Sequence, residues 1–251
     1  MSLQEYLDGL VRCPSLEELW DLHTQKMAEY GFDRLIYGYT RYRTSTSLGD
    51  PEDFIILTNH CRTYTDEFLG GGLYYDAPMV HWALANDGAC SWTVMHEMAQ
   101  AKGMTPAVER VLDFNRRMGV LAGYTVSFKS ISARSKGAIA LTARRDLDQA
   151  AVDAIWDQHG DDIKVMNDVA HLKILTLPQN TAKHALTPRQ REALQWVGDG
   201  KTTQDIALLM GLTAATVEKH LRLARESMGV ETTAQAVLKA AFTNQMFVMD
   251  V

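Results

Sequence analysis

Residues 186–242 carry punctuation at intervals that leave room only for short helices joined by tight turns. Thr187, Thr202 and Thr213 are hydroxyl residues of the kind that accept from the free backbone N–H groups at a helix start. Pro188 follows Thr187 at the first helical position, and Gln190 completes a capping box. Leu194 and Val197 then face inward, and Gly200 ends that helix. A second helix starts after Thr202, with Asp205 at its third position and Ile206, Ala207, Leu209 and Met210 as its apolar face. Gly211 supplies a tight turn, and the helix behind Thr213 turns Val217, Leu221 and Ala224 inward. A fourth helix repeats Ala234, Val237, Leu238, Ala241 and Phe242 at helical spacing. Helix, short glycine turn, helix is the helix-turn-helix arrangement, whose later helix lies in the DNA major groove.

The outward residues of that third helix suit such a task. Arg222 can pair with guanine N7 and O6, Glu218 can accept from a cytosine amino group, and Lys219 projects beside them. Lys201, Thr202, Thr213, Thr216 and His220 are candidates for phosphate contacts, which position without specifying. Spacing alone suits a protein-binding four-helix bundle with a solvated charged face as well. The net charge of −6 argues mildly against nucleic acid, but its distribution matters more. Residues 1–180 hold 17 Lys+Arg against 24 Asp+Glu, whereas residues 181–251 hold 8 against 7. The acidity therefore belongs to the first part of the chain.

That first part reads as helices placed before, between and after about five strands. Residues 2–30 read as helix, stopped at Gly31. Strands are expected at 34–42 and 53–58, with Ser45 in the loop between them, and a short one at 89–94. Helices are expected at 62–69, 78–86 and 104–118, the last capped by Thr105 and opened by Pro106. Tyr124, Val126 and Phe128 alternate in one further strand, Ile139 and Leu141 in another. Residues 146–173 form one helix or two, because Gly160 interrupts them. An α/β/α sandwich around one sheet fits this order. Pro178, Asn180 and Thr181 mark the stretch that follows as a linker.

The residues reach a resemblance at LTPRQ, Leu194, GKTTQDIA, GLTAATVEKH and QAVLKA. This segment resembles the DNA-binding domain of the LuxR/FixJ class of regulators, over about 57 residues without a gap, with Gln190 where that class usually has Glu. The resemblance implies DNA binding and, because the fourth helix often pairs subunits there, a homodimer on two half-sites. The acidic pair, phosphoacceptor Asp and later Lys of a phosphorylation receiver are missing. Instead TNH at 58–60, Tyr64, Phe68, APMV at 77–80, SW at 91–92 and GVLAGYTV at 119–126 resemble the acyl-homoserine-lactone-binding domain of LuxR-type quorum-sensing receptors. That likeness is looser and runs over about residues 10–175.

It implies a five-stranded antiparallel sheet and a buried ligand cavity, with His60, Tyr64, Phe68, Asp76, Met79, Trp92, Gly123 and Leu141 as candidate ligand residues. Three positions depart from the family. Tyr64 stands where a Trp usually donates to the lactone carbonyl, and Phe68 replaces a Tyr. The usual Asp-Pro, whose Asp accepts the ligand amide hydrogen, reads Ala77-Pro78, with Asp76 one residue away. Such a pocket fits a receptor without its own synthase, answering a different amphiphile.

The expected architecture is thus an α+β chain in two domains. A ligand-binding α/β/α sandwich spans 1–174, a linker 175–185, and a four-helix helix-turn-helix domain 186–251. The expected function is a ligand-responsive DNA-binding transcriptional regulator. The alternative keeps the DNA-binding end and gives it an input domain that senses a protein partner or nothing. Neither enzyme chemistry, cofactor nor metal is expected. HEMAQ at 96–100 has Gln100 where a zinc protease needs its second His, no GxSxG or phosphate loop occurs, and Cys13, Cys61 and Cys90 are scattered. No run of 18 apolar residues and no signal-peptide pattern occurs, so no membrane insertion and a bacterial cytoplasmic location are expected.

Overall fold

The computed structural model describes the whole chain except Ser45, Lys102, Ile131, residues 180–184 and residues 247–251, together with the side chains of His96 and Ala99. It forms two compact units, Met1–Leu175 and Thr176–Val251.

The first unit opens with two helices, α1 (Leu3–Arg12) and α2 (Leu16–Glu29), where the sequence read as one. Pro14 has no N–H to continue the helix, and Ser15 caps a new start by accepting from Glu18 N. The sheet contains β1 (Phe32–Thr40), β2 (Ile55–Thr58), β3 (Gly88–Ser91), β4 (Gly123–Ser127) and β5 (Lys136–Ala143). All neighbours are antiparallel, in the order β2-β1-β5-β4-β3. Between strands lie α3 (Arg62–Thr65), continued by a π turn at Asp66–Gly70, then α4 (Pro78–Ala85), α5 (Trp92–Ala101) and α6 (Pro106–Met118). The strand expected over 89–94 stops at Ser91, because Trp92 already opens α5. The stretch expected as a strand over 53–58 begins with a 3-10 turn at Pro51–Asp53.

One helix, α7 (Gln149–Thr176), passes through Gly160 unbroken. A Cβ at Gly160 would sit 2.6 Å from Trp156 Nε1. The bare glycine therefore makes room for an indole that stacks on Tyr124 at 4.0 Å and 4°. Helices α2 and α7 cover one sheet face; α4 and α5 pack on the other. Two histidines buried under the first face have partners for their ring nitrogens, whereas the buried Trp20 Nε1 beside them has none. Asn167 Nδ2 donates to Ile163 O, so its Oδ1 accepts from His23 Nε2 at 3.1 Å, and His23 Nδ1 is left to accept from the Tyr6 hydroxyl at 2.6 Å. Tyr37 likewise reaches His171 Nδ1 at 2.8 Å, and the His171 ring lies flat on Phe128 at 4.1 Å. Burial pushes both His23 and His171 down to about 4.

The second unit holds α8 (Pro188–Gly198), α9 (Thr203–Met210), α10 (Ala214–Met228) and α11 (Thr233–Phe242). Capping boxes form at Thr187/Gln190, Thr202/Asp205 and Thr232/Gln235, and Gly211 and Gly229 end α9 and α10 with positive φ. Leu194, Ile206, Val217, Leu221, Ala224 and Met228 fill the core. Two sequence assignments change here. Leu209 is exposed, and so are Ala234, Leu238, Ala241 and Phe242, because α11 packs inward through Ala236 and Ala240. Periodicity located an apolar stripe but not the surface it meets. Of the expected linker, 175–176 belong to α7 and 180–184 lie outside the described residues. Gln179 N donates to Thr243 O at 2.9 Å, while buried Gln245 accepts from Leu186 N at 3.1 Å and donates to Gln179 O at 3.3 Å.

Candidate functional site

Strand pairing creates a hollow on the α4 side of the sheet. Register sets Gly38 of β1 opposite Ala138 of β5, and Ile36 opposite Ala140, with Thr125 of β4 beyond and Ile56 of β2 on the near side. Paired residues share a face, so three adjacent positions carry nothing larger than a methyl group. Phe54, Phe68, Leu69, Tyr74, Met79 and Val80 wall this space, which has a volume of about 210 Å³. Such an apolar hollow with few polar groups is the usual form of a small-molecule site. Its one cationic group, Lys136, is tied to Asn86 O at 2.9 Å, Phe128 O at 3.2 Å and Asp87 Oδ1 at 2.6 Å.

Of the residues singled out by sequence, Phe68 and Met79 line the hollow. Tyr64 is buried and stacks with His60 at 4.3 Å, Phe68 at 5.1 Å and Phe114 at 5.3 Å, with its hydroxyl donating to Asn115 Oδ1 at 3.2 Å. Burial, and then the charge of Arg34, holds His60 down at about 4. Trp92 donates from Nε1 to Thr125 Oγ1 at 3.0 Å, so it supports the wall through a residue that lines it. Gly123 gives that indole its space, since a Cβ there would stand 3.0 Å from the ring. Asp76 is half-buried and Ala77 fully buried, and neither lines the cavity. Leu141 is a correction: it pairs with Tyr124 and Leu35, and Tyr124 stacks on α7, so Leu141 points away from the hollow. Alternation along GAIALTA held the signal, because it puts Ala138 and Ala140 on the face opposite Leu141. Thr125, Tyr74 and Lys136 were missed, and only the folded register brings them together.

In the second unit α10 buries Val217 and Leu221 and exposes Glu218, Lys219 and Arg222, while α9 before the Gly211 turn exposes Leu208 and Leu209. Thr213 caps α10, its hydroxyl 2.9 Å from that of Thr216, while Thr202 caps α9; Lys201 and Lys219 are exposed and His220 is half-buried. Thr203 Oγ1 donates to Glu218 Oε1 at 3.2 Å, which fixes one carboxylate oxygen and leaves the other for a partner. Arg222 pairs with Glu226 at 2.5 Å across an exposed helix turn. A pair of this kind contributes little, so its arginine is released at small cost. Arg222→Ala is expected to weaken operator binding by about 1–3 kcal/mol and to relax preference at one base pair. Equal losses on operator and random DNA in a gel-shift titration would make it a phosphate contact instead.

Among the described residues, no helix is long and apolar enough to cross a membrane, and no three His, Cys, Asp or Glu side chains gather as a metal site.

Residues 15–174 match the family model of the autoinducer binding domain, and residues 184–240 that of the bacterial regulatory proteins of the luxR family. The transcriptional activator protein AnoR of Acinetobacter nosocomialis is 22% identical over 249 residues, covering 94% of this chain and 95% of that protein. The crystal structure of SdiA from Escherichia coli superposes with a TM-score of 0.52 at 14% identity over 98% of both chains. CepR2 of Burkholderia cenocepacia, an N-acylhomoserine-lactone-dependent LuxR-family transcription factor, gives 0.53 at 19% identity over 68% of this chain and 92% of its own. At these identities the two structures share the fold.

Proposed function

The chain belongs to the luxR family of regulators, joining an autoinducer binding domain to a DNA-binding domain, and from that premise we propose that an acyl-homoserine lactone or a related small amphiphile fills the hollow beneath β1 and β5 and controls operator binding by α10. The observation that carries this reading is the apolar hollow of about 210 Å³. Phe68, Met79, Tyr74 and Thr125 would touch the ligand. The His60–Tyr64 stack, Trp92 and Gly123 would hold those walls in place. Glu218, Lys219 and Arg222 would read bases, while Lys201, Thr202, Thr213, Thr216 and His220 grip phosphates. Control of this kind requires that the ligand bind the DNA-competent state with a different affinity from the other state.

The exposed stripe of Ala234, Leu238, Ala241 and Phe242 on α11 supports a homodimer, whose two-fold axis would match paired half-sites. A monomeric mass for the operator-bound protein would remove that part. The protein acts in the bacterial cytoplasm as a regulator without catalytic chemistry of its own.

The test is the melting temperature of the full chain against lactones of graded acyl length. At about 100 times its dissociation constant a ligand adds about 2.7 kcal/mol, which raises the first unit's transition by roughly 5–10 °C. Ala138→Leu, which fills the floor, should abolish the rise. No shift with any chain length in folded, empty protein would favour an input domain that serves a protein partner.

A further inference from the structure

Two stretches of chain meet at the end of the second unit. Asn244 follows the last turn of α11 with φ at 53°, the one positive value outside glycine among the described residues. Its N–H returns to Ala241 O at 3.2 Å and that of Gln245 to Ala240 O at 2.9 Å, which closes the helix and turns the chain back. Gln245 is then 1% exposed and Met246 2%. The chain that leaves α7 is fastened to these residues. Leu177 O accepts from Asn244 Nδ2 at 3.1 Å, Gln179 N donates to Thr243 O at 2.9 Å, and Gln179 O accepts from Gln245 Nε2 at 3.3 Å. Gln245 Nε2 also donates to Thr243 Oγ1 at 3.2 Å, and its Oε1 accepts from Leu186 N at 3.1 Å. One buried amide therefore holds the chain on both sides of residues 180–184. Releasing it would strand several polar groups without partners, which fixes the geometry.

A free stretch over 177–185 would spread its ends by about 15–18 Å. Here Leu177 and Gln179 are buried, and the second unit begins at Thr176, the last residue of α7. We propose that Thr243–Met246 act as a clasp that makes Leu177–Gln179 part of the DNA-binding unit, so that the covalent joint between the units lies at Thr176. In the first unit α7 is keyed to the strands beneath the hollow. His171 bonds Tyr37 and Trp156 stacks on Tyr124, each one step along its strand from the lining residues Gly38 and Thr125. Resting on the receptor reading above, a ligand that shifts those strands moves α7, and the clasp passes that movement to α11 instead of losing it in slack chain.

The experiment is amide hydrogen exchange and small-angle X-ray scattering on the full chain, neither of which needs a ligand. The Gln179 and Leu186 N–H groups are expected to be protected, and Gln245→Ala should speed their exchange at least about tenfold while α9 and α10 keep their protection. Gly-Ser-Gly-Ser inserted after Gln179 should leave the radius of gyration unchanged, because the clasp closes that stretch at both ends. The same insert after Leu175 should raise it. If Gln245→Ala unfolds the second unit, the two inserts decide. Unprotected Gln179 in the unaltered protein, or an equal response to both inserts, overturns the clasp and leaves the receptor reading standing. With N-octanoyl-homoserine lactone as probe, control of DNA affinity should survive the insert after Gln179 and be lost with the insert after Leu175. Control that survives both overturns the transmission role. A probe without effect on the unaltered protein counts against the receptor reading, and exchange and scattering still decide the clasp.

Discussion

Lowering the pH from 7 to 5 is expected to lower the melting temperature of the first unit by about 10 °C or more. His23, His60 and His171 are all buried there, and burial holds each at about 4 in the fold against 6.5 in the open chain. The unfolded chain therefore binds protons below pH 6.5 that the folded chain refuses. Stability is complete above that value and drains away as the pH falls toward 4, at up to about 1.4 kcal/mol per pH unit for each histidine. Between pH 7 and 5 the three together remove several kcal/mol. The measurement is a series of calorimetric melts across that range. A midpoint that stays flat would mean that the Tyr6–His23–Asn167 and Tyr37–His171 contacts accept a charged ring without loss.

Gly123→Ala is expected to cost the first unit about 3 kcal/mol or more, the upper end for forcing atoms into a packed core. The new methyl would lie 2.2 Å from Leu141 O, a backbone atom in the paired strand, and 3.0 Å from the Trp92 ring. Retreat is blocked as well. Gln149 clasps both sides of this peptide, accepting from Gly123 N at 2.9 Å and donating to Gly123 O at 3.2 Å. The melting temperature should fall by roughly 6–12 °C, with the DNA-binding unit unaffected. A loss below about 1 kcal/mol would show that the β4–β5 pair has slack the packing does not suggest.

Gly123 also shows where sequence reasoning stopped short. The family resemblance singled it out as a ligand residue, but its position is explained by the indole and the strand that crowd it. The second unit was far more legible. Each helix there is announced by a Thr cap and most are closed by a glycine, so local chemistry alone draws the elements. What stayed hidden was orientation: Leu238 and Phe242 look like core on a helical wheel, yet Ala236 and Ala240 make the contact. In the first unit the approximate number of strands followed from alternation and turn residues, whereas their order in the sheet did not. The break at Pro14 was written in the chain but masked by helical spacing on both sides. The cavity wall was only partly readable, because Thr125, Tyr74 and Lys136 are far apart in sequence and meet through pairing.

The hollow itself depends on parity. Gly38, Ala138 and Ala140 face it, while Tyr37, Ile139 and Leu141, one step along the same strands, face α7. A slip of β5 against β1 by a single residue would turn Ile139 and Leu141 into the hollow and Ala138 and Ala140 away from it. The bulky side chains would then plug the space, and a void would open under the long helix. No lining residue would have been altered, yet the receptor would be solid. Whether this sheet encloses anything at all is thus decided by an odd or even count of residues, settled when the strands first align.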